Sequence, residues 1–132
     1  MFDALDISVS ALQAQRIRMD TVAGNLANAF TTRNADGQGE PYRRRFVVFA
    51  EGDGGGGRGV HVGRIGEDPA PPRLVHEPGH PDADANGYVR YPNVQVSTEM
   101  INALEAARAY EANITAMQVT KSMVSNTLRL LA

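Results

Sequence analysis

Apolar residues recur in steps of three and four along the last quarter of the chain. The positions Met100, Ala103, Ala107, Tyr110, Ile114, Met117, Lys121, Val124, Leu128 and Leu131 are apolar at every step except Lys121. That spacing is the a/d stripe of a heptad, and no Pro or Gly falls in residues 97–132. It predicts one uninterrupted helix of about 35 residues, roughly 50 Å long. Ser97 or Thr98 can cap its first turn, Glu99, Glu105 and Glu111 fill its first half, and Arg108, Lys121 and Arg129 weight the remainder, as the helix dipole prefers. A compact domain of this chain length is only roughly 36 Å across. The helix therefore overhangs its own domain, and its apolar face is expected to be completed by other helices, from this chain or from neighbouring copies.

The same stepping at the other end gives Leu5, Val9, Leu12, Arg16, Met19, Ala23, Leu26 and Phe30, apolar except at Arg16. A second amphipathic helix is predicted from about Leu5 to Ala29, with Gly24 weakening its last turns. Antiparallel pairing that sets large residues against small ones places Phe30 by Ala103, Leu26 by Ala107, Leu12 by Lys121 and Leu5 by Leu128.

Between the helices the periodicity falls to two. Residues 40–49 carry aromatic and β-branched side chains suited to a strand, Asp53-Gly54-Gly55-Gly56-Gly57 is a flexible turn, and residues 59–65 alternate imperfectly, so the three together predict a β-hairpin. Pro69 to Pro72 favour an extended course, Arg73-Leu74-Val75-His76 is a short strand candidate, and residues 87–96 are a last extended segment. The expected fold class is α+β: long N- and C-terminal helices form a coiled-coil-like helical hairpin around a small, β-rich and loop-rich middle. The expected organisation is residues 1–32 and 97–132 as one helical domain and 33–96 as a β-rich outer region.

Composition narrows the function. Fifteen acidic residues against thirteen basic ones, a formal charge of −2, argue against a broad nucleic-acid or anionic-membrane surface. The absence of cysteine excludes disulfides and thiolate metal sites. The start, Met1-Phe2-Asp3-Ala4-Leu5-Asp6, carries acid where a secretory signal needs base, and no apolar run reaches membrane-spanning length. Export, if it occurs, is expected by a route without a cleaved signal.

Asp82-Ala83-Asp84-Ala85-Asn86-Gly87 matches the first half of an EF-hand loop, which makes a calcium- or metal-dependent binding module using Asp82, Asp84 and Asn86 the alternative reading. The twelfth position is Asn93 rather than Glu, and Pro81 and Pro92 stand where helices are needed, so an Asx-rich turn explains the same residues. His61, His76 and His80 fit no ligand spacing, the glycine run lacks the Lys-Ser/Thr of a phosphate loop, and Arg43-Arg44-Arg45 reads as exposed or interface charge. No serine sits in a nucleophile-elbow context, so neither catalysis nor a cofactor is expected.

Several runs resemble the rod and hook axial proteins of the bacterial flagellar basal body. The segment Val22-Ala23-Gly24-Asn25-Leu26-Ala27-Asn28-Ala29-Phe30-Thr31-Thr32 is similar to their N-terminal rod signature. Pro41-Tyr42-Arg43-Arg44-Arg45, Glu67-Asp68-Pro69-Ala70-Pro71-Pro72-Arg73-Leu74-Val75 and residues 78–89 resemble the C-type proximal-rod branch, and Arg108-Ala109-Tyr110-Glu111-Ala112-Asn113 resembles the terminal-helix motif. The resemblance implies a structural axial subunit whose terminal helices pack together and line the inner tube, with the β-rich region outward. It also implies export by the flagellar type III apparatus on an uncleaved signal. The implied partners are copies of itself, proximal and distal rod subunits and the adaptor to the MS ring, in the part of the basal body that crosses the periplasm, with no nucleic acid and no direct membrane insertion.

Overall fold

The computed structural model describes residues 2–37 and 39–131. Helix α1 spans Phe2–Ala27 and helix α2 spans Val96–Leu131. Between them lie β1 (Arg45–Glu51), β2 (Val60–Glu67), β3 (Arg73–His76) and β4 (Tyr88–Tyr91), so the α+β class and the element order agree with the periodicities. The helix starts come three residues and one residue earlier than the sequence predicts, and Ala132, its expected last residue, lies outside the described residues. Helix α1 continues through Gly24. Asn28 donates its side-chain amide and its backbone N–H to the Gly24 carbonyl, at 2.9 and 3.1 Å, and so finishes the turn that glycine weakens.

The strands form two separate two-stranded antiparallel sheets. β1 and β2 make the expected hairpin, with an irregularity between Val48 and Phe49 that shifts the register. The pairing of β3 with β4, from Arg73 opposite Tyr91 to His76 opposite Tyr88, is a second hairpin that the isolated runs did not announce.

Helix α1 is the shared element, since α2 packs on one of its sides and the β1–β2 hairpin on another. The hairpin closes on α1 at Gly59, whose backbone is left-handed at φ 129°; an added Cβ there would lie 2.3 Å from Ser10 Oγ. Ser10 Oγ donates to the Ile7 carbonyl at 2.7 Å and accepts the Val60 N–H at 3.1 Å. Only glycine satisfies both demands. The buried apolar residues are small: Ala14, Val22, Ala29, Val89, Val94 and Ala106. Ala14 of α1 and Ala106 of α2 are buried, as are Val89 within β4 and Pro92 and Val94 just after it.

The two helices run antiparallel, but not in the register the seam predicts. Arg18 faces Glu105 and Asn25 faces Glu99, at 3.2 and 3.0 Å. Residues 115 and 108 would be their partners in the predicted register, so α2 is displaced by nine or ten residues, about 14 Å along the axis. The pairings of Phe30 with Ala103 and Leu26 with Ala107 are therefore replaced. In the adopted register the buried polar side chains of Asn25 and Glu99 meet, which the apolar stepping does not take into account.

Candidate assembly surface

Asn25 and Glu99 are wholly buried, one on each helix. The Asn25 amide makes four hydrogen bonds: it donates to the Arg45 carbonyl (2.8 Å) and to Glu99 Oε2 (3.0 Å), and it accepts from the Arg45 N–H (2.8 Å) and the Tyr42 hydroxyl (3.0 Å). The other Glu99 oxygen accepts Arg44 Nε at 2.5 Å. Arg44 also lies 3.8 Å from Asp68, whose N–H donates to the Arg44 carbonyl at 2.8 Å. One amide and one carboxylate thus tie α1, the approach to β1 and the first turn of α2, where the positive end of the helix dipole favours the acid. Burial raises the Tyr42 hydroxyl above its ordinary pKa, which keeps it the donor to Asn25.

A second junction holds β3–β4 to the tail of α1. Asp82 accepts from Thr32 Oγ1 at 2.6 Å and pairs with Arg33. The Arg33 side chain is the larger cause and Thr32 the next of a carboxyl held below the usual range. Phe30 meets Tyr91 edge to face at 6.2 Å, and Arg90 donates to the Gly39 carbonyl at 2.7 Å. Asp84 Oδ1 accepts the N–H groups of Asn86 and Tyr88, both at 2.9 Å, as an Asx turn does. These contacts occupy the carboxylates of the metal-binding alternative, and among the described residues no three His, Asp or Glu side chains gather to hold an ion.

The seam residues divide by exposure. On α1, Leu5, Leu12, Met19 and Leu26 are half-buried, whereas Val9, Ala23 and Phe30 are exposed. On α2, Ala103, Ala107, Tyr110, Ile114, Met117 and Val124 are half-buried, and Met100, Leu128 and Leu131 are exposed. The fully buried line of α2 passes through Glu99 and Ala106, one residue before Met100 and Ala107. Hydrophobic stepping misses it because a carboxylate reads as an outward position. Ile101, Leu104, Val119 and Met123 add exposed apolar area, and at the end of α2 Leu130 and Leu131 are 88% and 80% exposed. In the observed register the start of α1 lies opposite residue 121 or so. About ten residues of α2, from 122 onward, therefore extend past α1, roughly 15 Å of helix on which Met123, Leu128, Leu130 and Leu131 are exposed and Val124 is half-buried.

The pattern described as "Flagella basal body rod protein" matches residues 5–33, which is α1 and its turn, and "Flagellar basal body rod FlgEFG protein C-terminal" matches residues 85–130, which is β4 and α2. The chain is 48% identical over 132 residues to the flagellar basal-body rod protein FlgC of Yersinia enterocolitica, covering 98% of this chain and 97% of that protein. It is 43% identical to FlgC of Bacillus subtilis and 37% identical to FlgC of Borreliella burgdorferi, again over 97% of each. The chain belongs to the FlgC family of flagellar basal-body rod proteins. It is a structural subunit of the bacterial flagellar rod, located in the basal body. FlgC relatives match across the middle region too, so that region belongs to the family and is no insertion into it. No helix among the described residues is long and apolar enough to cross a membrane.

Proposed function

We propose that the chain is a proximal-rod subunit that enters the axial drive shaft through its terminal helices, residues 1–32 and 97–132, with residues 33–96 facing outward. The observation that carries this reading is the exposed apolar end of α2, with Leu128, Leu130 and Leu131 beyond the reach of α1. Apolar area of that extent on a stable helix is an interface waiting for a partner. The seam that neighbours complete comprises Leu5, Val9, Leu12, Met19, Ala23, Leu26 and Phe30 on α1, with Met100, Ala103, Ala107, Tyr110, Ile114, Met117, Val124, Leu128 and Leu131 on α2. The partners are copies of the chain, other proximal and distal rod subunits and the adaptor to the MS ring, after delivery by the flagellar type III apparatus. A scaffold of this kind needs neither catalysis nor a cofactor, and its surface charge suits protein neighbours better than nucleic acid or lipid.

The test is complementation of a strain that lacks its own copy of this subunit. A chain with Leu128→Glu and Leu131→Glu should be exported at the normal level yet give no rod and no swimming. Normal motility of that variant would contradict the reading.

A further inference from the structure

We infer that the buried Asn25–Glu99–Arg44 cluster is a register pin, the feature that selects how far α2 slides past α1. This inference stands apart from the assembly reading and holds whatever the neighbours of the chain are. Both helices carry apolar stripes that repeat every seven residues, and the contact is rich in alanine: Ala14 and Ala106 are buried, and Ala103, Ala107 and Ala109 are half-buried. Hydrophobic burial has no direction, so such a face is satisfied in more than one sliding position. The large-against-small pairing of the seam is one of those positions, nine or ten residues away from the one adopted.

What separates the two is polar. At the adopted position the carboxylate of Glu99 meets Asn25 Nδ2 at 3.0 Å and Arg44 Nε at 2.5 Å, with no exposure to water. Sliding α2 by nine or ten residues carries Glu99 roughly 14 Å from both groups. Asn25 would then lose one of its four hydrogen bonds, and Glu99 would lose both Asn25 and Arg44. A buried polar group without a partner is unfavourable wherever it sits, and one such group in a helix contact can therefore select a register that apolar packing leaves open. The ion pair between Arg18 and Glu105 repeats the selection seven residues along α1, but Glu105 is exposed and its arginine can turn to water, so it contributes little. Arg44 adds a third anchor. Because Asn25 also clamps the backbone of Arg45 on both its N–H and its carbonyl, the pin sets the hairpin and the two helices against one another at a single point.

The chain has no cysteine, so two introduced cysteines carry spin labels without competition. Asp20→Cys and Gln118→Cys place them on exposed sites of α1 and α2, about 14 residues apart along the axis in the adopted register. Pulsed electron resonance on the labelled chain should give one distance. In the same labelled chain with Asn25→Ala and Glu99→Ala, a second distance displaced by roughly 10 Å should appear, since a slip of seven residues or more moves the labels by that amount. Circular dichroism reports whether the doubly substituted chain keeps its helices. Should it lose them, the labelled Glu99→Gln chain, which keeps the size of the side chain but removes its charge and one of its two acceptor oxygens, must show the second distance in a minority of molecules. A single unshifted distance in a folded Asn25→Ala/Glu99→Ala chain, or in Glu99→Gln where the double variant unfolds, overturns the pin, because a residue that merely stabilises would leave the register alone.

Discussion

At the scale of the residue, the helix contact is governed by what is small and what is paired. Ala106 is wholly buried between α1 and α2, whereas Ala112, six residues on, is exposed. Ala106→Leu forces three extra carbon atoms into a close approach and should destabilise the chain by about 1–3 kcal/mol, read as a lower urea midpoint at unchanged slope. Ala112→Leu should change little. Ala106 was partly legible, because it lies within the apolar face, but the stripe as stepped from Met100 runs one residue past it. Asn25 and Glu99 were not legible at all as inward positions. Polarity at such a site is a statement about partners, and the partners here come from residues 44 and 45, far away in sequence. The signal that existed was local: Glu99 sits in the first turn of α2 and Asn25 in the rod signature of α1.

At the scale of the element, the helices and the first hairpin follow from period and turn chemistry. Periods near 3.5 gave α1 and α2, the aromatic and β-branched runs flanking the glycines gave β1 and β2, and Gly59 closes that hairpin onto Ser10. The β3–β4 pair was readable only as two extended segments, since a four-residue strand carries too few alternations to name its partner. Its attachment to α1 is electrostatic and therefore responds to acid. Asp82 has a folded-state pKa below its unfolded value near 3.9, chiefly through Arg33 and then Thr32. Its contribution is therefore complete above about pH 4 and is lost as the pH falls through the lower, folded value. In an NMR titration the amides of Thr32 and Arg33 should report a midpoint below 3.9, and Asp82→Asn should abolish that transition. Because its partner Arg33 is exposed, salt should weaken the effect.

At the scale of the whole molecule, α1 is flanked by α2 and the hairpin, and α2 is too long for the partner it has. At 36 residues it measures roughly 54 Å, against roughly 39 Å for the 26 residues of α1. The displaced register puts most of that excess at one end, where Met123, Leu128, Leu130 and Leu131 are exposed. An antiparallel pair in the predicted register would have kept Leu5 beside Leu128 and left a shorter bare tip. Sequence periodicity thus indicates an overhang, while the polar cluster decides its size and end. For a rod subunit this difference is consequential, because the bare tip is the surface proposed to meet an adjacent subunit. The most direct measurement is an image, at side-chain resolution, of the rod assembled with this subunit. The account predicts Leu128, Leu130 and Leu131 buried against a neighbouring subunit, with Glu99 still paired to Asn25 and Arg44 inside its own chain. Those leucines facing solvent in the assembled rod would contradict it.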